Sequence, residues 1–70
     1  MMERLNVGDR PINLTQVLKL AGWVAHGGEA KALIADGMVR VNGEVETRKR
    51  KQMSLGDVVQ LEGGPSLTLV

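Results

Sequence analysis

Apolar and polar positions along the chain follow two periods in turn. From Asn13 onward, Leu14, Val17, Leu18 and Ala21 stand at i, i+3, i+4 and i+7, the stripe that an amphipathic helix turns toward a core. Asn13 followed by Gln16 makes a capping-box pattern, in which the Asn oxygen takes a free backbone N–H while the Gln side chain reaches back. Gly22 suits the left-handed position that stops such a helix. The same spacing returns at Ala30, Leu33 and Ile34 and predicts a second helix from about Gly27 to Asp36, with Gly37 as its stop. A tight connection between the two predicts a packed pair. Trp23 lies in that connection and reads as a ring at the rim of the core, covering both helices.

Elsewhere the period is two. Leu5 and Val7 alternate around Asn6 and predict a short strand before the turn-like Gly8-Asp9-Arg10-Pro11. Beyond Gly37, Val39 and Val41, then Val45 and Thr47, flank the turn signal Asn42-Gly43 and predict a hairpin. A two-residue loop would set Val41 opposite Glu44 and Val39 opposite Glu46, with glutamates on the apolar face. A three-residue loop ending with Gly43 as a left-handed bulge pairs Val39 with Val45 and Arg40 with Glu44. The three-residue loop is therefore expected, with Arg40 on the solvent face. Leu55-Gly56-Asp57 reads as a turn into Val58–Leu61, and Gly63-Gly64-Pro65 as a turn into Leu67–Val70. The expected class is α+β, with two short packed helices against a small, largely antiparallel sheet.

Length and composition narrow the function classes. Seventy residues fit one small domain, residues 1–70, with no room for a large enclosed substrate cavity. The absence of cysteine removes disulfides and thiolate metal sites and points to a reducing, cytoplasmic setting. The longest stretch free of charge in the first sixty residues, Leu20 to Gly28, is far short of the ~18 apolar residues of a membrane span. The start Met1-Met2-Glu3-Arg4 does not resemble a leader peptide. Net charge is only +1, but it is uneven: residues 16–53 carry +3 and residues 54–70 carry −2. That is a local positive patch and not a polycation.

Catalysis can be tested by inventory. One histidine, no tyrosine, and two serines (Ser54 and Ser66) outside any nucleophile elbow do not assemble a nucleophile with its base. His26 alone makes no metal site. No enzyme activity, cofactor, metal or small-molecule substrate is expected. Gly22 and Gly27 are spaced like the glycines of a phosphate-binding loop, but Gly28-Glu29 stands where that motif needs Lys and Ser or Thr. What survives is that Gly27-Gly28 opens a helix, whose free N–H groups and positive dipole end can meet a phosphate, with Lys31 in the first turn as support. Glu29 opposes this, and its alternative role is to stabilise the helix start.

Arg48-Lys49-Arg50-Lys51 places four cations in a row after a strand. Taken alone, the run is equally a solvated loop or a guard on the sheet edge. With Lys31, Arg40 and the helix start it reads as a phosphate-backbone footprint. A single aromatic residue supplies no stacking platform for single strands, and the second helix lacks the polar base readers of a DNA helix-turn-helix. Shape and phosphate recognition of folded RNA remains.

The runs L-x-x-x-L-K-L-x-G, G-G-E-A-K-x-L-I-x-x-G-x-V-x-V-N-G, E-x-R-K-R-K and L-G-D-V-V resemble the RNA-binding domain named after bacterial small-subunit ribosomal protein S-four, also called the alpha-L motif. The likeness is strongest to its small free-standing members of the YbcJ/YaaA type and covers about residues 13–62. It implies a helix pair on a small curved sheet and binding of structured RNA, rRNA or ribosomal particles included, without membrane association. Carried over by position, Gly27, Gly28 and Lys31 match the helix-opening segment, and Arg48, Lys49, Arg50 and Lys51 match the basic segment. Arg40 and Lys19 are expected as flanking support. Asn42 and Gly43 match the hairpin turn, a structural role first. His26 stands where many relatives have a serine that caps the helix and meets phosphate; a neutral imidazole can accept the capping bond, while the phosphate contact is not implied. The rival reading is a protein-interaction adaptor on ribosomal particles that uses the basic patch and a sheet edge.

Overall fold

The computed structural model describes residues 3–70. Met1 and Met2, which begin the segment read above as unlike a leader, lie outside the described residues. The chain runs β1 (Glu3–Leu5), α1 (Leu14–Leu20), α2 (Gly27–Ala35), β2 (Val39–Val41), β3 (Glu44–Val45), β4 (Val58–Leu61) and β5 (Ser66–Leu69). Two helices thus pack on one five-stranded sheet of order β1-β5-β4-β2-β3, antiparallel except where β1 runs parallel to β5. This is the α+β arrangement that the periodicity predicts. No described helix is long and apolar enough to cross a membrane.

Both helices start and stop where their local chemistry says. Asn13 and Gln16 form the full capping box on α1. At its end Gly22 adopts φ 76°, and the amides of Gly22 and Trp23 close back on the carbonyls of Lys19 and Leu18. Gly37, at φ 74°, ends α2 the same way, with Gly37 and Met38 closing on Ile34 and Leu33. These are paired Schellman closures, which use up carbonyls that a helix end otherwise leaves open. Asp36 is the cap and not the last helical residue of α2.

The strands alternate as a half-buried sheet must. Val39, Val41, Val59, Leu67 and Leu69 turn inward and meet Leu14, Val17, Leu18, Ala30 and Ile34 from the helices in one buried cluster. Burying each Val, Leu or Ile of this cluster contributes roughly 1.5 to 3 kcal/mol, and Ala30 contributes less. Trp23 packs half-buried against this cluster, at the rim as expected. The strand expected around Leu5 and Val7 begins earlier, at Glu3. Val7 is nevertheless buried, and its amide donates to the Val70 carbonyl at 2.9 Å.

The hairpin corrects the expected loop. Arg40 pairs with Val45 and Val41 with Glu44, the register of a two-residue loop. Asn42 at φ 52° and Gly43 at φ 87° supply the two left-handed residues that a type I′ turn requires. Parity misleads here because the apolar inward face stops short of the sheet edge. In fact β3 is a two-residue edge strand, where Glu44 reaches solvent and Glu46 turns to Arg48. Val45 is accordingly left 48% exposed on the outer face. Asn42 also ties the turn to the next one: its amide nitrogen donates to Asp57 at 3.1 Å and its oxygen accepts from the Val58 amide at 2.9 Å. That link explains why N-G and G-D occur together in the sequence.

Candidate nucleic-acid interface

The basic run sits against the start of α1. The amide of Leu14 donates to the Lys51 carbonyl at 2.9 Å and that of Thr15 to the Lys49 carbonyl at 3.3 Å. The Thr15 hydroxyl donates to the same Lys49 carbonyl at 2.7 Å. On either side of Gln52, Asn13 bridges Gln52 and the Met53 amide donates to Ile12. The backbone of the run is therefore fixed although its side chains are not. Lys49 and Arg50 are exposed and Lys51 half-exposed, and none of the three makes an ion pair among the described residues.

Arg48 differs from its neighbours. Its guanidinium grips Glu46 through both oxygens, at 2.9 and 3.0 Å, and its amide donates to the same carboxylate at 3.1 Å. These hydrogen bonds hold the Glu46 carboxyl down from 4.5 to about 2, against a smaller opposing effect of burial. The Arg48 guanidinium is raised in turn, first by its hydrogen bond to Glu46. One of the four cations is thus already partnered, and its charge is partly spent inside the molecule.

The start of α2 lies beside this run. A Cβ placed on Gly27 would stand 3.9 Å from the Thr15 methyl, so one threonine borders both the basic run and the first residue of α2. His26 caps α2 by accepting from the Glu29 amide, at a long 3.3 Å. The cap expected of an imidazole is present. Glu29 turns back to accept from the Ala25 amide at 2.7 Å, so its carboxylate is held at the helix start, against the residue before the cap. The amides of Gly27 and Gly28 meet no acceptor among the described residues. Lys31 is exposed and stands one turn beyond Gly27, at the head of the second turn and not in the first, on the same side of the helix.

Not every sequence candidate joins this surface. Arg40 is on the outer face of the sheet, between Val45 and Gln60, where it pairs with Glu62 at 2.8 Å and donates to the Gly43 carbonyl at 3.2 Å. The helices cover the other face. Lys19 is exposed in the last turn of α1, one turn beyond Thr15. There it lines a shallow groove of about 410 Å³ together with Arg10, Pro11, Ile12, Gln16 and Leu20. Arg10 and Thr15 are residues that the sequence reading did not single out. Arg10 falls in a turn, and the partner of Thr15 lies 34 residues away, so neither left a local signal.

Among the described residues no group of three or more His, Asp or Glu could hold a metal. The arrangement offers exposed cations on a fixed backbone beside open amides, which suits an extended polyanion.

Comparison with known proteins places the fold in a class. A model of the S4 domain matches residues 5–69, and the chain belongs to the S4-domain family. Among its relatives is the Escherichia coli (strain K12) protein YbcJ, 43% identical over 63 residues, which span 89% of this chain and 90% of that one. The solution structure of E. coli YbcJ, described as revealing an alpha-L motif involved in RNA-binding, superposes with a TM-score of 0.76 at 41% identity over all of this chain and 89% of that one. The Probable ribosome maturation protein RlbA of Bacillus subtilis (strain 168) is 36% identical over 70 residues, 100% of this chain and 99% of that one. A Tyrosine--tRNA ligase of Bordetella pertussis is 40% identical over 58 residues, but these are only 14% of that enzyme.

Proposed function

We propose that this chain is a non-catalytic RNA-binding protein that holds structured RNA, rRNA in particular, through phosphate contacts and shape. The observation that carries the reading is the meeting of two phosphate-binding elements at Thr15: the fixed basic run and the uncapped first amides of α2. Lys49, Arg50 and Lys51 supply mobile charge on a fixed backbone, Gly27 and Gly28 supply directed N–H groups, and Lys31 extends the footprint along α2. Lys19 and Arg10 flank it. Arg48 serves first to anchor the run to Glu46. Arg40, held by Glu62 on the far face, is left out.

Shape recognition is favoured over single-strand stacking because the one aromatic ring, Trp23, is half-buried against the core. The naming of RlbA for ribosome maturation supports rRNA as the target class. A protein adaptor using strand addition has less to stand on, since the edge strands β1 and β3 are only three and two residues long.

Fluorescence anisotropy with a labelled rRNA hairpin and a DNA duplex of matched length, across a salt series, tests the reading. Binding should favour RNA and weaken steeply with salt. Changing Arg48, Lys49, Arg50 and Lys51 to glutamine should lower the salt slope by about three units if three phosphates lose their partners. No binding to either polymer at low salt, or an unchanged slope in a folded variant, overturns it.

A further inference from the structure

We infer that Thr15 is a positioning residue for RNA: it sets the basic run in register with the open start of α2. The inference rests on the proposed RNA-binding function and adds to it a residue that need not touch RNA at all.

Three observations carry it. Thr15 donates twice to one carbonyl, that of Lys49, from its amide at 3.3 Å and its hydroxyl at 2.7 Å. The side-chain bond is the shorter, so the hydroxyl holds the carbonyl more closely than the helix amide does. Its methyl faces the other way, 3.9 Å from where a Cβ on Gly27 would stand. One half-buried side chain thus spans the gap between Lys49 and Gly27, with a polar arm on one and an apolar arm on the other.

The surroundings make this span consequential. Besides the Thr15 contacts, the end of the run is held to α1 through the Lys51 carbonyl, which takes the Leu14 amide. At its front, Arg48 is held by Glu46. Lys49 and Arg50 lie between these two anchors, in a turn that the Lys51 amide closes on the Arg48 carbonyl at 3.1 Å, and the Thr15 contacts are what tie that turn to α1. A run that is free to shift still carries its charges, but they no longer align on the phosphates met by the Gly27 and Gly28 amides. Preorganised contacts then become contacts that must be ordered on binding.

The two arms can be separated by substitution. Thr15→Val keeps the methyl and the branched shape but deletes the hydroxyl; Thr15→Ser keeps the hydroxyl and deletes the methyl. Hydrogen exchange of the Arg48 to Lys51 amides, thermal melting and RNA-hairpin affinity across a salt series are measured for both beside wild type. Thr15→Val should speed exchange in the run and weaken RNA binding about fivefold, a loss of the size that one hydrogen bond supplies. Thr15→Ser, which keeps the bond to Lys49 and loses only the methyl beside Gly27, should hold exchange at the wild-type rate and RNA affinity to within about twofold of wild type. If Thr15→Val binds as wild type while the four-glutamine variant does not, the positioning role is overturned and the RNA reading stands. If wild type itself binds no RNA, that reading falls first; unchanged exchange in Thr15→Val then removes the anchor as well.

Discussion

The two helices begin beside each other, with the Thr15 methyl 3.9 Å from where a Cβ on Gly27 would stand, and are finished in opposite ways. At α1 every early amide has a partner: Leu14 on Lys51, Thr15 on Lys49, Gln16 on the Asn13 side chain and Val17 on the Asn13 carbonyl. At α2, among the described residues, Glu29 and Ala30 are satisfied, both by His26 and both at 3.3 Å, while Gly27 and Gly28 meet no acceptor. A closed helix start is architecture, because its donors and its share of the dipole are consumed by the chain itself. An open start beside unpaired cations is a place for an anion. The same basic run closes α1 with its carbonyls and leaves the side chains of Lys49 and Arg50 exposed.

The largest effect that separates the two ends is on stability. Asn13→Ala removes the capping box and should cost about 1 to 2 kcal/mol, lowering Tm by about 4 to 8 °C per kcal/mol in a domain of this size. Thermal or urea unfolding reads this directly. Comparable losses from Asn13→Ala and His26→Ala would break the comparison, because the His26 cap is a single long bond in solvent and its removal should cost only a few tenths of a kcal/mol.

A smaller effect sharpens the comparison from the binding side. Lys31→Gln should leave unfolding within about 0.5 kcal/mol of wild type, as exposed positions do, yet lower the RNA salt slope by about one unit. Arg40→Gln should leave that slope unchanged, since its guanidinium faces Glu62 across the sheet from the helices. A drop at Arg40 with none at Lys31 would move the interface to the outer face.

The smallest effect concerns acid. Glu46 has a folded-state pKa lowered to about 2, so its contribution is fully present above its ordinary value of 4.5 and is lost as pH falls toward 2. Its partner Arg48 is 70% exposed, so solvent screening keeps the gain small. Wild type should therefore lose slightly more stability than Glu46→Gln between pH 5 and pH 2, measured as urea midpoints at matched salt. Identical profiles would remove Glu46 as an anchor of the run.

Local chemistry explains what was legible in the sequence. Both helices could be read, because Asn13, Gln16, Gly22 and Gly37 mark ends whose hydrogen bonds lie within a few residues. The basic run, Lys31 and the Gly27-Gly28 start could be read as a candidate site because their charges and glycines stand in short local runs. The hairpin loop was misread because its parity depends on where the buried face stops, which only the assembled sheet decides. Arg40 and Arg48 look alike in the sequence; their commitment to Glu62, 22 residues away, and to Glu46 comes from strand register and chain bending. Thr15 was invisible as a linker because it reads as one more polar residue on an amphipathic helix.

The most direct test of the central claim is a backbone-amide NMR titration of the protein with a short rRNA hairpin. The account predicts that Gly27, Gly28, Lys31 and the Lys49 to Lys51 segment shift together in one saturable process, while the Leu14 amide, already bonded to Lys51, moves little. Shifts confined to Arg40, Gln60 and Thr68 on the outer face, or no saturable shift at all, would contradict it.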